Sequence, residues 1–161
     1  MISALDALDH SGSGDLFLIE YLDARGADGL ARKYRMMFIG GGFYPLHLAL
    51  GHDWKVHYFT SAMAEDDAYR LEEQRYLDDP TSVLGTNGMT ALRAVAVQLG
   101  LDYAGIDFGL DAEGRILVFE VNATMVLISP DADSIWDYRR PAIRRVFEAA
   151  ERMVAERVDS R

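Results

Sequence analysis

The stretch from Asp102 to Asn122 constrains this chain most. Two strand-like runs, DYAGIDFGL and RILVFEVN, are separated by Asp111-Ala112-Glu113-Gly114, residue types that close tight hairpins. Side chains alternate between the faces of a strand. The first run therefore sends Ala104, Ile106, Phe108 and Leu110 one way and Tyr103, Gly105, Asp107 and Gly109 the other. A single acid projects from a face kept nearly bare by glycine. In the second run Leu117, Phe119 and Val121 alternate with Val118, Glu120 and Asn122. If Asp111 faces Gly114 across a two-residue turn, Asp107 falls opposite Val118 and diagonal to Glu120, within about 7–8 Å on one face.

Two carboxylates and an amide oxygen placed in this way fit a hard divalent cation, because like charges repel unless neutralised and Mg²⁺ takes oxygen ligands. The same pattern also fits the solvated face of a two-sided hairpin. Gly105 and Gly109 bear on the choice. Glycine weakens a strand by entropy and is expected where a ligand or another backbone approaches closely.

A second constellation is Lys33 and Arg35, two apart in the strand-like run RKYRMMFI and so on one face. The pair matches an anionic ligand in type, the fork of Arg for bidentate contacts and Lys as a point charge. A solvated edge is the other reading, and Met37 and Ile39 on the same face argue against full exposure. His47, His52 and His57 recur every five residues, which aligns no three imidazoles on a strand face and defines no zinc set. Strand packing explains His47, Lys55 and His57, and reach toward a substrate is the other reading. Gly40-Gly41-Gly42 reads as a hairpin turn, because no Gly-Lys-Ser/Thr follows to make a phosphate loop. Trp54 and Trp136 read as packing residues.

The remaining elements set the class. DLFLIEYLDAR from Asp15, RKYRMMFI and FYPLHLAL read as an antiparallel meander. Met63 to Leu77, with Glu65, Asp66 and Asp67 in its first turn, reads as a helix. Gly85 to Gly88 leads into a second helix, MTALRAVAVQL, whose Leu92, Val95, Ala96 and Leu99 face the core before Gly100 stops it. A final helix starts near Pro141, with Ile143, Val146, Phe147, Ala150 and Val154 on its apolar face. The expected class is α+β, an antiparallel sheet with flanking helices. Residues 1–14, ending in Ser11-Gly12-Ser13-Gly14, read as a flexible segment, and 15–161 as one folded unit.

Charge and composition narrow the partners. With 16 Lys plus Arg against 26 Asp plus Glu, the net charge of −10 repels phosphate backbones and anionic membranes, so neither nucleic acid nor membrane is an expected partner. No run approaches about 18 apolar residues. The absence of cysteine excludes thiolate metal sites and a cysteine nucleophile, and fits a cytoplasmic location.

Taken together, LDYAGIDFGLDAEGRILVFEVNATM (101–125) resembles the C-terminal ATP- and Mg²⁺-binding portion of the ATP-grasp superfamily. In that superfamily an Asp and a Glu-x-Asn hold Mg²⁺ against the nucleotide phosphates, as in the ligases that modify ribosomal proteins or make glutathione. The resemblance implies Asp107, Glu120 and Asn122 as metal ligands. Upstream, FLIEYLDARGADGLARKYRMMFIGG (17–41) is similar to the family's hinge strand and the basic strand after it. That implies Glu20, Tyr21 and Leu22 beside the adenine and Lys33 and Arg35 nearer the phosphates. Gly105 stands two residues before Asp107, where many of these ligases carry arginine, as in some peptide-tailoring members.

The implied activity is an ATP-dependent carboxylate–amine or carboxylate–thiol ligation through an acyl phosphate, with a small-molecule or peptide carboxylate as substrate and ATP and Mg²⁺ as cofactors. The resemblance names no general base. It finds no counterpart here for the family's earlier subdomain with its phosphate-binding lysine, so the expectation is a fragment of a longer enzyme. The competing expectation is a non-catalytic ATP-grasp-derived module for interaction or homodimerisation through an open sheet edge.

Overall fold

Alternation of apolar and cationic residues in ARKYRMMFI makes a strand that can bury one face fully and the far end of the other. In the computed structural model, which describes residues 20–53, 56 and 61–159, this segment is β1 (Ala31–Ile39). Gly40 and Gly41, at φ 54° and 80°, turn the chain into β2 (Gly42–Gly51), with Ile39 paired to Gly42. Two successive left-handed residues are what a two-residue hairpin loop demands. Helices α1 (Asp67–Asp78) and α2 (Pro80–Leu99) follow, then β3 (Tyr103–Leu110), β4 (Ile116–Asn122) and α3 (Arg140–Asp159). The four strands form one antiparallel sheet in the order β2-β1-β3-β4, so the architecture is α+β, as the sequence indicates.

The sheet carries a core on each face. On one, Tyr34, Met36, Phe38, Leu48, Ile106 and Phe108 meet Tyr76 and Leu77 of α1 and Leu84 and Leu92 of α2. On the other, Met37, Ile39 and Leu46 meet Met125 and Ile143, Val146 and Ala149 of α3. The second core covers one end of its face, and the cationic end of β1 remains outside it.

Several elements differ from the sequence reading. Residues 1–14 and Asp15 to Ile19 lie outside the described residues, and Glu20 to Ala24 belong to no strand; Arg25 makes a single bridge to Ala31. Met63 sits in a separate 3-10 turn, Ala62–Ala64, and α1 starts at Asp67 because the Asp66 carboxylate accepts from the Ala68 N–H at 2.8 Å and caps it. Gly85 does interrupt the helix, and the expected second helix follows it, but a helical stretch also precedes it. Helix α2 already begins at Pro80, capped by Asp79, and is kinked at Gly85 (φ 67°, ψ 173°), which divides it into a short first part and the longer part that runs to Leu99. Gly100 ends it at φ 60°, as expected. On α3, Phe147 and Val154 are exposed, and Ala142 and Ala149 take part in the buried stripe instead.

The β3–β4 connection is also longer than a two-residue turn. Leu110 pairs with Ile116, and the Asp111 N–H donates to the Arg115 carbonyl at 3.0 Å. Asp111 holds the loop by accepting from the Glu113 and Arg115 N–H groups. This shift changes which residues meet across the two strands.

Candidate functional site

Strand register builds the site. His47 on β2 pairs with Arg35 on β1, Arg35 with Asp107 on β3, and Asp107 with Glu120 on β4. One polar residue from each strand thus stands in a row across the sheet. Asp107 lies directly opposite Glu120, and not opposite Val118 with Glu120 on the diagonal; Asn122 pairs with Gly105. Both ends of the row sit at β-bulges. Between Arg35↔His47 and Met36↔Pro45 the extra residue is Leu46, and between Asp107↔Glu120 and Phe108↔Val118 it is Phe119. Proline has no N–H to give to a ladder and is tolerated in edge strands and at bulges, which accounts for the first. Bulges re-aim side chains and are frequent beside functional sites.

The bulge at Phe119 breaks the simple alternation and turns its ring over Gly109. A Cβ on Gly109 would lie 2.8 Å from Phe119 Cζ and 2.6 Å from the Ala24 Cβ. At Gly105 a Cβ would collide with the Met125 side chain and stand 2.9 Å from Met37 Sδ. The bare face of β3 therefore makes room for this chain's own side chains and for the segment at Ala24.

Asp107 is 2% exposed, and cations engage both of its oxygens. Arg35 donates from Nε to Oδ1 at 2.5 Å and from its terminal nitrogen to Oδ2 at 2.7 Å, and Lys33 Nζ lies 3.3 Å from Oδ2. Burial alone would raise the Asp107 pKa, but the Arg35 hydrogen bonds and charge, with Lys33 behind them, outweigh it and hold the carboxyl below its usual value. The same hydrogen bonds push the Arg35 pKa up. His47, buried beside Arg35, is pushed down to about 3, first by burial and then by that guanidinium, so its imidazole is neutral. Glu120 is exposed, and its Oε1 accepts from Asn122 Nδ2 at 3.0 Å.

The row lies on the wall of a cavity of about 1570 Å³. Glu20, Tyr21, Leu22, Lys33, Arg35, Asp107 and Glu120 line it, and Asn122 does not. Its lining is of two kinds. Tyr21, Leu22, Phe119, Val126 and Ile128 offer exposed apolar and aromatic surface, while Lys33, Arg35 and Asp107 with His47 offer charge and polarity. Lys55 and His57 lie outside the described residues.

Among the described residues, no group of three or more His, Cys, Asp or Glu side chains stands where it could hold a metal ion. Asp107, Glu120 and Asn122 nonetheless carry oxygen atoms of the kind Mg²⁺ takes, at register positions two residues apart on two paired strands. The donor types fit the ion, and the Asp107 oxygens accept from Arg35 and face Lys33.

The sequence reading missed a buried cluster beside this wall. Glu73 of α1 is fully buried and takes Arg139 Nε at 3.0 Å and a terminal Arg139 nitrogen at 2.6 Å; it also accepts from the Tyr138 hydroxyl and, at 3.1 Å, from the Leu48 N–H. The Arg139 guanidinium lies 4.1 Å over the Trp136 ring. A signal existed: Glu73 falls three and four residues before Tyr76 and Leu77, inside the apolar stripe of its helix. Among the described residues, no helix is long and apolar enough to cross a membrane. No family model, no curated protein and no solved structure matches this chain.

Proposed function

We propose that this chain supplies the ATP- and Mg²⁺-binding surface of an ATP-grasp carboxylate–amine or carboxylate–thiol ligase, working through an acyl phosphate on a small-molecule or peptide carboxylate. One observation carries the reading: the row Arg35, Asp107, Glu120 crosses three strands on the wall of a cavity that also holds Glu20, Tyr21 and Leu22. A nucleotide has an apolar, stacking end and a polyanionic end, and this cavity offers surface of both kinds. Lys33 and Arg35 bind phosphate oxygens in this reading, with the fork of Arg35 suited to two of them. Tyr21, Leu22 and Phe119 border the base. Asp107 and Glu120 on the cavity wall, with Asn122 beside Glu120, would hold Mg²⁺, which would neutralise phosphate charge. Neutral His47 keeps the β2 end of the row from adding a further cation beside Arg35.

Calorimetric titration with a non-hydrolysable ATP analogue tests the reading, with and without Mg²⁺ and beside Glu120→Gln. Magnesium-dependent binding that weakens about tenfold in the variant is the expected outcome, roughly the loss of one charge-assisted contact. A folded sample that binds nothing contradicts it.

A second reading rests on the edge of the sheet. Strand β4 is an outer strand with Val118 and Phe119 more than two-fifths exposed, and such an edge is a template for another strand. A non-catalytic interaction or homodimerisation module follows from it. Concentration-dependent dimers in sedimentation, abolished by Val118→Lys and unaccompanied by nucleotide binding, support that alternative.

A further inference from the structure

Four charged groups meet at the centre of the row, and their formal charges cancel: Lys33 and Arg35 against Asp107 and Glu120. Both oxygens of Asp107 are already engaged, and it is nearly inaccessible, whereas the side chains of Lys33 and Arg35 remain 18% and 20% exposed at the cavity. A dication arriving alone would have to displace two cations from Asp107 and then sit beside them. A polyanion arriving alone would have to take those cations from a carboxylate that would be left buried and unpaired. Each of these steps is unfavourable in a partly dehydrated site.

Resting on the nucleotide reading above, we propose that Arg35 and Lys33 are an internal substitute for the metal ion, so that metal and polyphosphate enter by exchange. The cations leave Asp107 for phosphate oxygens, and the dication takes the place that they vacate between Asp107 and Glu120. No bond is made or broken covalently; the dication balances the two carboxylates, while Lys33 and Arg35 offset two of the negative charges of the polyphosphate. The two ligands then assist one another by the same factor in either order, as linkage requires. The site discriminates against free metal and against metal-free anion, and the occupant it selects is a polyphosphate that carries its dication.

This arrangement makes two predictions opposite to those of a simple contact list. Arg35→Met frees Asp107 and so tightens binding of Mn²⁺ alone, by about fivefold or more. Asp107→Asn frees Arg35 and Lys33 and so tightens binding of metal-free tripolyphosphate, in chelator, by a similar factor. Lys33→Met is the milder partner of the first variant, with a 3.3 Å contact to lose, and is expected to shift Mn²⁺ affinity the same way by less. Circular dichroism establishes that each variant is folded, and the magnesium complex of the ATP analogue is titrated in parallel into the unaltered chain. If the complex binds while the Arg35 and Lys33 variants bind Mn²⁺ no more tightly than the unaltered chain, exchange is overturned and the nucleotide reading stands. If the complex does not bind at all, both are overturned.

Discussion

Among the described residues two buried carboxylates are held by arginine, and they differ in how far their partners are exposed. At Glu73 the pair with Arg139 is sealed, with side chains 0% and 4% exposed, and the tyrosine hydroxyl and the Leu48 N–H complete the carboxylate's partners. It ties α1 to β2, an outer strand, and to the turn before α3, so three separate parts of the chain depend on it. At Asp107 the carboxylate is equally buried, but Arg35 and Lys33 reach it from the cavity and stay about one-fifth exposed. Burial of the carboxylate alone does not separate structure from function. The exposure of its cations is where the two clusters differ, and the proposed exchange requires cations that can leave.

The largest expected effect lies on the sealed side. Glu73→Ala leaves the Arg139 charge buried without its counter-ion and is expected to cost about 3–5 kcal/mol in urea unfolding. A loss below about 1 kcal/mol would erase the distinction between the two clusters.

Next comes pH. Burial pushes the His47 pKa down to about 3, against about 6.5 in an unfolded chain. Below pH 6.5 the unfolded chain takes up a proton that the folded chain refuses, so this stability is complete above pH 6.5 and is lost as pH falls toward 3. The expected slope is about 1.4 kcal/mol per pH unit within that window. His47→Gln should flatten the slope between pH 6 and 5, relative to the unaltered chain, in unfolding curves taken at half-unit steps.

On the open side, Asp107→Asn is expected to cost less, about 1–2 kcal/mol, because Arg35 and Lys33 can turn toward water once their partner is neutral. Equal losses for Glu73→Ala and Asp107→Asn in the same denaturation series would contradict the proposed difference. The smallest effect belongs to the β4 edge. Val118→Lys should change stability by no more than about 0.5 kcal/mol, since the side chain is already exposed.

Much of the fold can be read locally. The glycine hairpin at Gly40-Gly41, the faces of β3, the stop at Gly100 and the final helix all follow from patterns a few residues long. The site was legible as residue types: Lys33, Arg35, Asp107 and Glu120 do share one cavity. What escaped was register. A bulge is a mismatch between two strands, and within FEVN nothing local marks Phe119 as the surplus residue. Pro45 did carry a local mark of the other bulge, because a proline inside a strand implies an edge or an irregular pairing. The Glu73 clamp escaped because its partner lies 66 residues away in sequence, although a lone acid in an apolar stripe was visible.

The most direct test of the contrast follows both arginines at once. In a ¹⁵N-labelled sample the Nε–H signals of Arg35 and Arg139, assigned through Arg35→Met and Arg139→Lys, are recorded before and after adding the magnesium complex of the ATP analogue. A shift of the Arg35 signal with Arg139 unmoved is the predicted result. At saturation, movement of Arg139 with Arg35 fixed, or of neither, would contradict the account.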